Sequence, residues 1–212
     1  MRQLFVILFV LAAGLTLPVQ VFAQESPGRV ELTPFAGFRF GGSFTDDENG
    51  AEAAVADSAT AGIALNFRDS ANTQWEIVYA RQATDVNVRD FDFGVPTIDL
   101  DIDVLQVGGT YMFDGDLFRP YLAATVGGTR LSPTLDGLDS DTFWSFGIGG
   151  GMQFFPTSRL GLRLEGRMWG TLVDSSTSLF CQSGPAGGGC AIAVRGEGLW
   201  QFETLAGLVF RF

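Results

Sequence analysis

The amino-acid sequence predicts an all-β fold: a transmembrane eight-stranded antiparallel up-and-down β-barrel that follows a cleaved N-terminal signal peptide. Three observations carry the prediction. In the last segment, Gly198 to Phe212, Trp200, Phe202, Thr204, Ala206, Leu208, Phe210 and Phe212 share one face of a strand. Gln201, Glu203, Leu205, Gly207, Val209 and Arg211 share the other, because successive side chains of a strand point to opposite faces. An apolar face backed by a mixed polar one suits a wall between lipid and a lumen. Second, hydrophobic residues make up 46% of the chain, with 20 Phe and only 17% charged residues. After the first residues they alternate with Gly and polar residues and never form a helix-length run, which is how a barrel meets lipid. Third, eight segments of this kind can be counted, and bacterial barrels require an even number. A soluble β-sandwich would have to hide the same apolar content in a thick core.

The N-terminus reads as a processing signal. Arg2 supplies the positive charge, Leu4 to Leu17 the apolar stretch, and Val21-Phe22-Ala23 the small-residue site before Gln24. The stretch is too short for a membrane anchor, which needs about 20 apolar residues. Residues 1–23 are therefore the expected signal peptide and residues 24–212 the outer-membrane β-barrel domain.

Strand one is expected over about Arg29–Phe40, with Val30, Leu32, Ala36, Phe38 and Phe40 outward and Glu31, Thr33, Phe35, Gly37 and Arg39 inward. Strand two runs over Ser58–Arg68, with Ala61, Ile63, Leu65 and Phe67 outside, and strand three over Thr73–Ala83, with Trp75, Ile77 and Tyr79 set against Gln74, Glu76 and Gln82. Strand four, about Asp99–Phe113, turns Leu105, Val107, Tyr111 and Phe113 outward. Its upper half sets Ile98, Leu100, Ile102 and Val104 against three Asp, so either a bulge near Val104 or an extension beyond the membrane is required. Strand five covers about Phe118–Leu131, with Leu122, Ala124 and Val126 outward. Strand six covers Thr142–Phe155, with three Gly inward, and strand seven covers Arg159–Val173, with Arg163, Glu165 and Arg167 inward. The terminal segment is strand eight.

The connections alternate in length. Arg68–Asn72, Asp114–Leu117 and Pro156–Ser158 are tight turns rich in Asp, Asn, Gly, Pro and Ser. Between them lie the longer Gly41–Asp57, Thr84–Ile98, Ser132–Asp141 and Asp174–Glu197. Short turns on the periplasmic side and long loops outside would put both termini in the periplasm. Trp75, Tyr111, Phe113, Trp144 and Phe155 would seat the aromatic girdles.

A net charge of −11 excludes nucleic acid as a partner, since that needs a basic footprint. Cys181 and Cys190 sit in the fourth long loop of a chain sent to an oxidising compartment, so a disulfide between them is expected; a reactive thiol or metal pair is the sharper alternative. Histidine is absent, which removes Ser-His-Asp catalysis, His metal sites and His general bases. No enzyme activity, no cofactor and no catalytic or metal-binding residue is expected. Asp99, Asp101 and Asp103 fail as an EF-hand loop, because Val104 and Thr110 stand where Gly and Glu are needed. On a strand they share one face about 7 Å apart, where neighbours either share an ion or form a solvated, self-repelling loop base. The inward Gly of GIGGGM in strand six lie mid-strand with no helix following and read as small residues in a tight lumen, not a phosphate cradle.

The best-founded local site is the lumen. Glu31, Glu76, Arg163, Glu165, Arg167, Glu203 and Arg211, joined by Arg39, would sit in an interior about as wide as packed side chains. Paired, they form a plugging salt-bridge network; the alternative is a gated ion path. Glu31 is expected beside Arg211 and Arg167 beside Glu203.

The segment GLRLEGRMWGTLV, the glycine-bracketed cysteine loop and the ending LWQFETLAGLVFRF resemble the outer membrane protein β-barrel domain family, the small OmpA/OmpX/OmpW-like eight-stranded proteins, over about residues 28–212. The resemblance implies residence in the outer membrane of a Gram-negative bacterium, with outer-membrane lipid and lipopolysaccharide as surroundings. Phe212, Phe210, Leu208 and Ala206, with Thr204 a weaker member, are similar to the terminal signal read by the barrel-assembly machinery. The chain stops at Phe212, so peptidoglycan binding by a following soluble domain does not carry over. The implied function is a structural and surface-interaction role, with acidic loops displayed on a plugged barrel toward ligands the sequence does not name. A narrow OmpW-like channel for small or hydrophobic solutes is the alternative.

Overall fold

The computed structural model describes residues 29–45, 52–87, 97–115, 117–134, 139–173, 178–182, 189–193 and 198–212. The expected signal peptide, and the acidic residues Asp46, Asp47, Glu48, Asp90, Asp92 and Asp136, lie outside them. Among the described residues there are twelve strands: β1 Val30–Phe40, β2 Ser43–Thr45, β3 Glu52–Val55, β4 Ser58–Arg68, β5 Thr73–Asn87, β6 Thr97–Met112, β7 Phe118–Pro133, β8 Asp141–Phe154, β9 Leu160–Thr171, β10 Ser178–Gln182, β11 Gly189–Ala193 and β12 Leu199–Arg211.

Eight of them close on themselves in the order β1, β4, β5, β6, β7, β8, β9, β12, with every pair antiparallel. Closure leaves no unpaired edge within the wall, which a hydrocarbon environment demands of strands. Alternation settles which face is which. In β12 every second residue from Leu199 to Val209 is buried, while Trp200, Phe202, Thr204, Ala206, Leu208 and Phe210 are exposed. The same parity runs through β5, whose pattern alternates without a break from Gln74 to Asn87.

The turns are built by local side-chain bonds. Ser70 Oγ accepts from the backbone N–H of Asn72 at 3.3 Å and of Thr73 at 3.1 Å, and Asn72 Nδ2 donates to the Met112 carbonyl at 2.9 Å. Thr157 Oγ1 accepts from the Leu160 N–H at 3.0 Å before β9. At the other end Gly41 and Gly42 take φ of +78° and +106°, a turn that β-branched or bulky residues resist, and so lead β1 into β2.

On β6 the choice between a bulge and an extension falls to the extension, and two further features differ from the sequence expectation. The phase conflict on β6 dissolves: its register with β5 is unbroken from Tyr111–Thr73 to Thr97–Asn87, so there is no bulge. Asp99, Asp101 and Asp103 lie on the same outward face as Leu105 and Val107, while Ile98, Leu100, Ile102 and Val104 are buried inside. Three carboxylates on a lipid-facing surface are untenable, so β6 rises out of the apolar band above Leu105. Next, the long connections hold strands of their own. β2 and β3 form a hairpin that docks on β5 above the end of β4 through Ala54–Asn87 and Val55–Val86, and β10 pairs with β11 in a separate two-stranded sheet. Finally, Phe155 is no girdle residue. It lies just past β8, is 9% exposed, and turns inward against the Arg211 guanidinium, 3.7 Å from its ring centroid.

Candidate functional site

The interior of the barrel is filled in tiers. The lowest joins the chain's two closing strands. Arg211 donates to Glu31 Oε1 from Nε at 3.0 Å and from Nη2 at 2.7 Å, two charge-assisted bonds converging on one oxygen. Arg68 approaches the same oxygen at 3.8 Å, and Gln153 Nε2 donates to Glu31 Oε2 at 3.4 Å.

The middle tier is a closed ring of four charges. Arg163 Nη2 bonds Glu76 at 2.7 Å and Glu165 at 2.6 Å, and Arg167 bonds the remaining oxygens, Glu76 Oε1 at 2.6 Å and Glu165 Oε1. All four side chains are at most 2% exposed. Tyr121 donates its hydroxyl proton to Glu165 and accepts from Arg163 Nε at 2.7 Å, and Asn66 bridges Glu76 and Arg163. Each carboxylate thus serves two guanidiniums, the condition under which buried ions repay their desolvation; removing one leaves an uncompensated charge at a cost of about 3–5 kcal/mol. Inward glycines make room for it. A Cβ on Gly149 would come within 2.8 Å of Glu165 Oε1, and one on Gly151 within 2.7 Å of the Tyr121 hydroxyl.

Above the ring, Glu203 accepts from Arg39 Nη2 at 2.9 Å, from Trp169 Nε1 and from Thr60 Oγ1. The expected Arg167–Glu203 pair does not form this bond. The two are opposite in the β9–β12 register, yet Arg167 turns to Glu76 and Glu165, and Glu203 takes Arg39. Trp169 explains the choice, because its indole N–H satisfies Glu203 and its ring faces both cations, with Arg39 and Arg167 each 5.1 Å from the centroid. Among the described residues Arg39 Nε and Nη1 and Arg167 Nη1 are buried without a hydrogen-bond acceptor, and the guanidiniums lie over the indole π-face. Gln201 then bonds Gln82 at 3.1 Å, and Gln82 bonds Ser58 at 3.0 Å.

The uppermost tier is apolar. Val55, Val86, Ile98, Leu100, Ile102, Val104, Leu131, Val173 and Leu199 are at most 5% exposed and pack as one cluster that reaches down to Trp169. Of this cap only the Ile98, Leu100, Ile102 and Val104 face stands out in the sequence; Trp169 and Tyr121 do not, although Trp169 continues the period-two series of Arg163, Glu165 and Arg167. The expected Asp99–Asp101–Asp103 face lies outside the barrel wall with partners from β5. Asp101 bonds Arg81 at 2.6 Å, Asp103 accepts from the Tyr79 hydroxyl at 2.6 Å, and Asp99 stands opposite Asp85. Phe212, Phe210, Leu208 and Ala206 face outward at the chain's end. Cys181 and Cys190 are directly opposite in the β10–β11 register.

Comparison with known proteins agrees with this geometry. The model of the outer membrane protein beta-barrel domain family matches residues 9–173, and the chain belongs to that family. It is similar in fold to Neisserial surface protein A, at 17% identity over 88% of this chain and 98% of that one, with a TM-score of 0.60. It is also similar to the outer membrane protein AlkL as determined in lipid bilayers, at 14% identity over 87% and 90% of the two chains, with a TM-score of 0.51. No curated protein matches it by sequence.

Proposed function

We propose that this outer-membrane barrel is a sealed, non-enzymatic scaffold that displays its acidic outer end to the cell's surroundings. One observation carries the reading: among the described residues buried side chains occupy the lumen at successive levels, with the Glu76–Arg163–Glu165–Arg167 ring in the middle and the apolar cap above it. A filled interior resists deformation, so the strands that rise beyond the apolar band hold a fixed shape outside it. β5 and β6 pair as far as Asn87 and Thr97, and the β2–β3 hairpin widens the sheet they form. On this reading the tight turns and both termini are periplasmic, the terminal Phe212, Phe210, Leu208 and Ala206 are what the assembly machinery reads, and lipopolysaccharide surrounds the projecting end. Cys181 and Cys190 form a disulfide that holds the fourth loop.

A conduit for small apolar solutes is the second reading, and the outer cap is the observation that favours it. Ile98, Leu100, Ile102, Leu131 and Leu199 make the kind of wall such a solute meets, but they are at most 2% exposed and packed against one another.

Orientation and display are tested by labelling. In a background with both native cysteines replaced by Ser, a large impermeant maleimide applied to intact cells should label Thr134→Cys and spare Ser70→Cys until the outer membrane is opened. The reverse pattern would invert the topology and end the display reading.

A further inference from the structure

We infer that the outward rim of β5, β6 and β7 is a binding site for the phosphorylated headgroup of an outer-leaflet glycolipid, held between Arg81 and Arg130. The inference rests on the display reading only in taking this end of the barrel as the outer one.

The register places the site at a defined depth. Arg81, Asp103 and Arg130 are directly opposite one another across three adjacent strands, and Thr142 on β8 continues the row. Two residues lower on each strand is the row Tyr79, Leu105, Gly128, Trp144, also outward, with Leu105 and Trp144 at 59% and 72% exposure. Below that come Ile77, Val107 and Val126, all exposed and all apolar. Going up the wall the surface therefore passes from aliphatic, to an aromatic row, to arginine and aspartate within two steps along the strand. Aromatic rings seat at the boundary of the hydrocarbon, so the next row lies at the level of lipid headgroups and not at the tips of the loops.

The chemistry of the row selects the headgroup. The chain has no lysine, so all its basic side chains are guanidiniums, the group whose planar fork matches phosphate. Arg130 donates to the neutral Ser140 hydroxyl at 3.0 Å and makes no ion pair among the described residues. Arg81 is 53% exposed, and among the described residues it pairs with Asp101, itself reachable from outside at 25%. The two arginines stand two strand spacings apart, about 10 Å, which brackets a sugar-phosphate. Between them, Asp101 and Asp103 are acceptors and the Tyr79 hydroxyl turns to Asp103. A phospholipid headgroup presents one phosphodiester on a small, flexible donor such as glycerol, whereas a phosphorylated glycolipid presents phosphates to the guanidiniums and a ring of hydroxyl donors to the carboxylates from one rigid sugar. The mixed row answers both halves of a phosphorylated sugar.

The site is tested with folded barrel reconstituted in nanodiscs doped with bis-phosphorylated lipid A, dephosphorylated lipid A or phosphatidylglycerol, the lipid retained being read by native mass spectrometry. The expected order is strong retention of the phosphorylated lipid A, and about tenfold less of each of the other two. R81Q/R130Q should lose about tenfold for phosphorylated lipid A alone, as losing charge-assisted hydrogen bonds predicts. R81K/R130K, which keeps the charge and discards the fork, should fall between. Equal retention of dephosphorylated lipid A, or of phosphatidylglycerol, would overturn the inference, as would undiminished binding by R81Q/R130Q. Heat-modifiable gel mobility of each variant shows that the barrel is intact, and inverted maleimide labelling would sink the display reading separately from lipid retention.

Discussion

Glu31 on β1 and Arg211 on β12 face each other in the register of the closing strand pair and bond through two guanidinium nitrogens at 2.7 and 3.0 Å. The pair ties the start of the barrel to its end, with Arg211 also resting on the Phe155 ring. Arg68, 3.8 Å away, is a weaker second cation for Glu31. Replacing Arg211 by Gln should lower the midpoint of heat-induced barrel opening, by about 1–3 kcal/mol in stability. A double-mutant cycle with Glu31→Gln should return a coupling of about 1–3 kcal/mol; additive effects would mean that the two residues do not act as a pair.

Pro34 breaks the same seam. Val30 and Phe212 exchange both backbone bonds, so every second residue of β1 turns its nitrogen toward β12, and position 34 falls opposite Leu208. Proline has no N–H to give, and the β1–β12 pairing skips residues 33 and 34 although β1–β4 runs through both. Within a bilayer no water replaces that bond. Pro34→Ala should therefore raise the barrel's opening temperature, and an unchanged or lower temperature would show that the missing bond is not felt.

Acid should tighten the outer end of the β5–β6 pair. Asp85 lies opposite Asp99, and the hydrogen bond and repulsion between them push the Asp85 carboxyl above the usual aspartate range. The folded protein then holds this proton more tightly than the unfolded chain, so stability at this site falls as pH rises through the interval from the ordinary to the raised value. Amide exchange at the tip of β5 and β6, corrected for its intrinsic rate, should slow as pH drops through that interval. Asp85→Asn should lose the dependence; a variant that keeps it would assign the effect elsewhere.

Cys181 and Cys190 face each other across β10 and β11, and opposed residues of an antiparallel pair have Cα atoms about 4.5–5.5 Å apart, inside the range a disulfide spans. Protein taken from cells should resist alkylation until reduced, and reduction should leave heat-modifiable mobility unchanged because the β10–β11 sheet is separate from the barrel wall. Alkylation of both thiols before reduction would refute the bond.

Parity is what the sequence made legible. Glu31 and Glu76 lie between outward apolar neighbours, and Glu165 and Glu203 follow outward Leu164 and Phe202, so a period of two places all four inside without knowledge of any partner. Partners were harder to read. Register predicts Cα neighbours, and Glu203 is opposite both Arg167 and Arg39, but long side chains reach across a lumen. Arg167 meets Glu76 from a strand far along the wall, a pairing that only closure creates. The three Asp of β6 obscured the apolar cap, because a strand leaving the membrane reverses the chemistry of its faces without changing their phase. The girdle placement of Phe155 runs against its own parity: it continues the inward series of Ser145, Gly147, Gly149 and Gln153, so the period of two already turns it into the lumen.

The central claim is a lumen sealed by the Glu76–Arg163–Glu165–Arg167 ring and its apolar cap. Single-channel recording of the purified barrel in a planar bilayer, with Arg167→Ala measured alongside, tests it most directly. The sealed lumen predicts a silent trace for the native protein across the voltage range the bilayer tolerates. Reproducible steps of constant amplitude from the native protein, abolished or resized by Arg167→Ala, would contradict it.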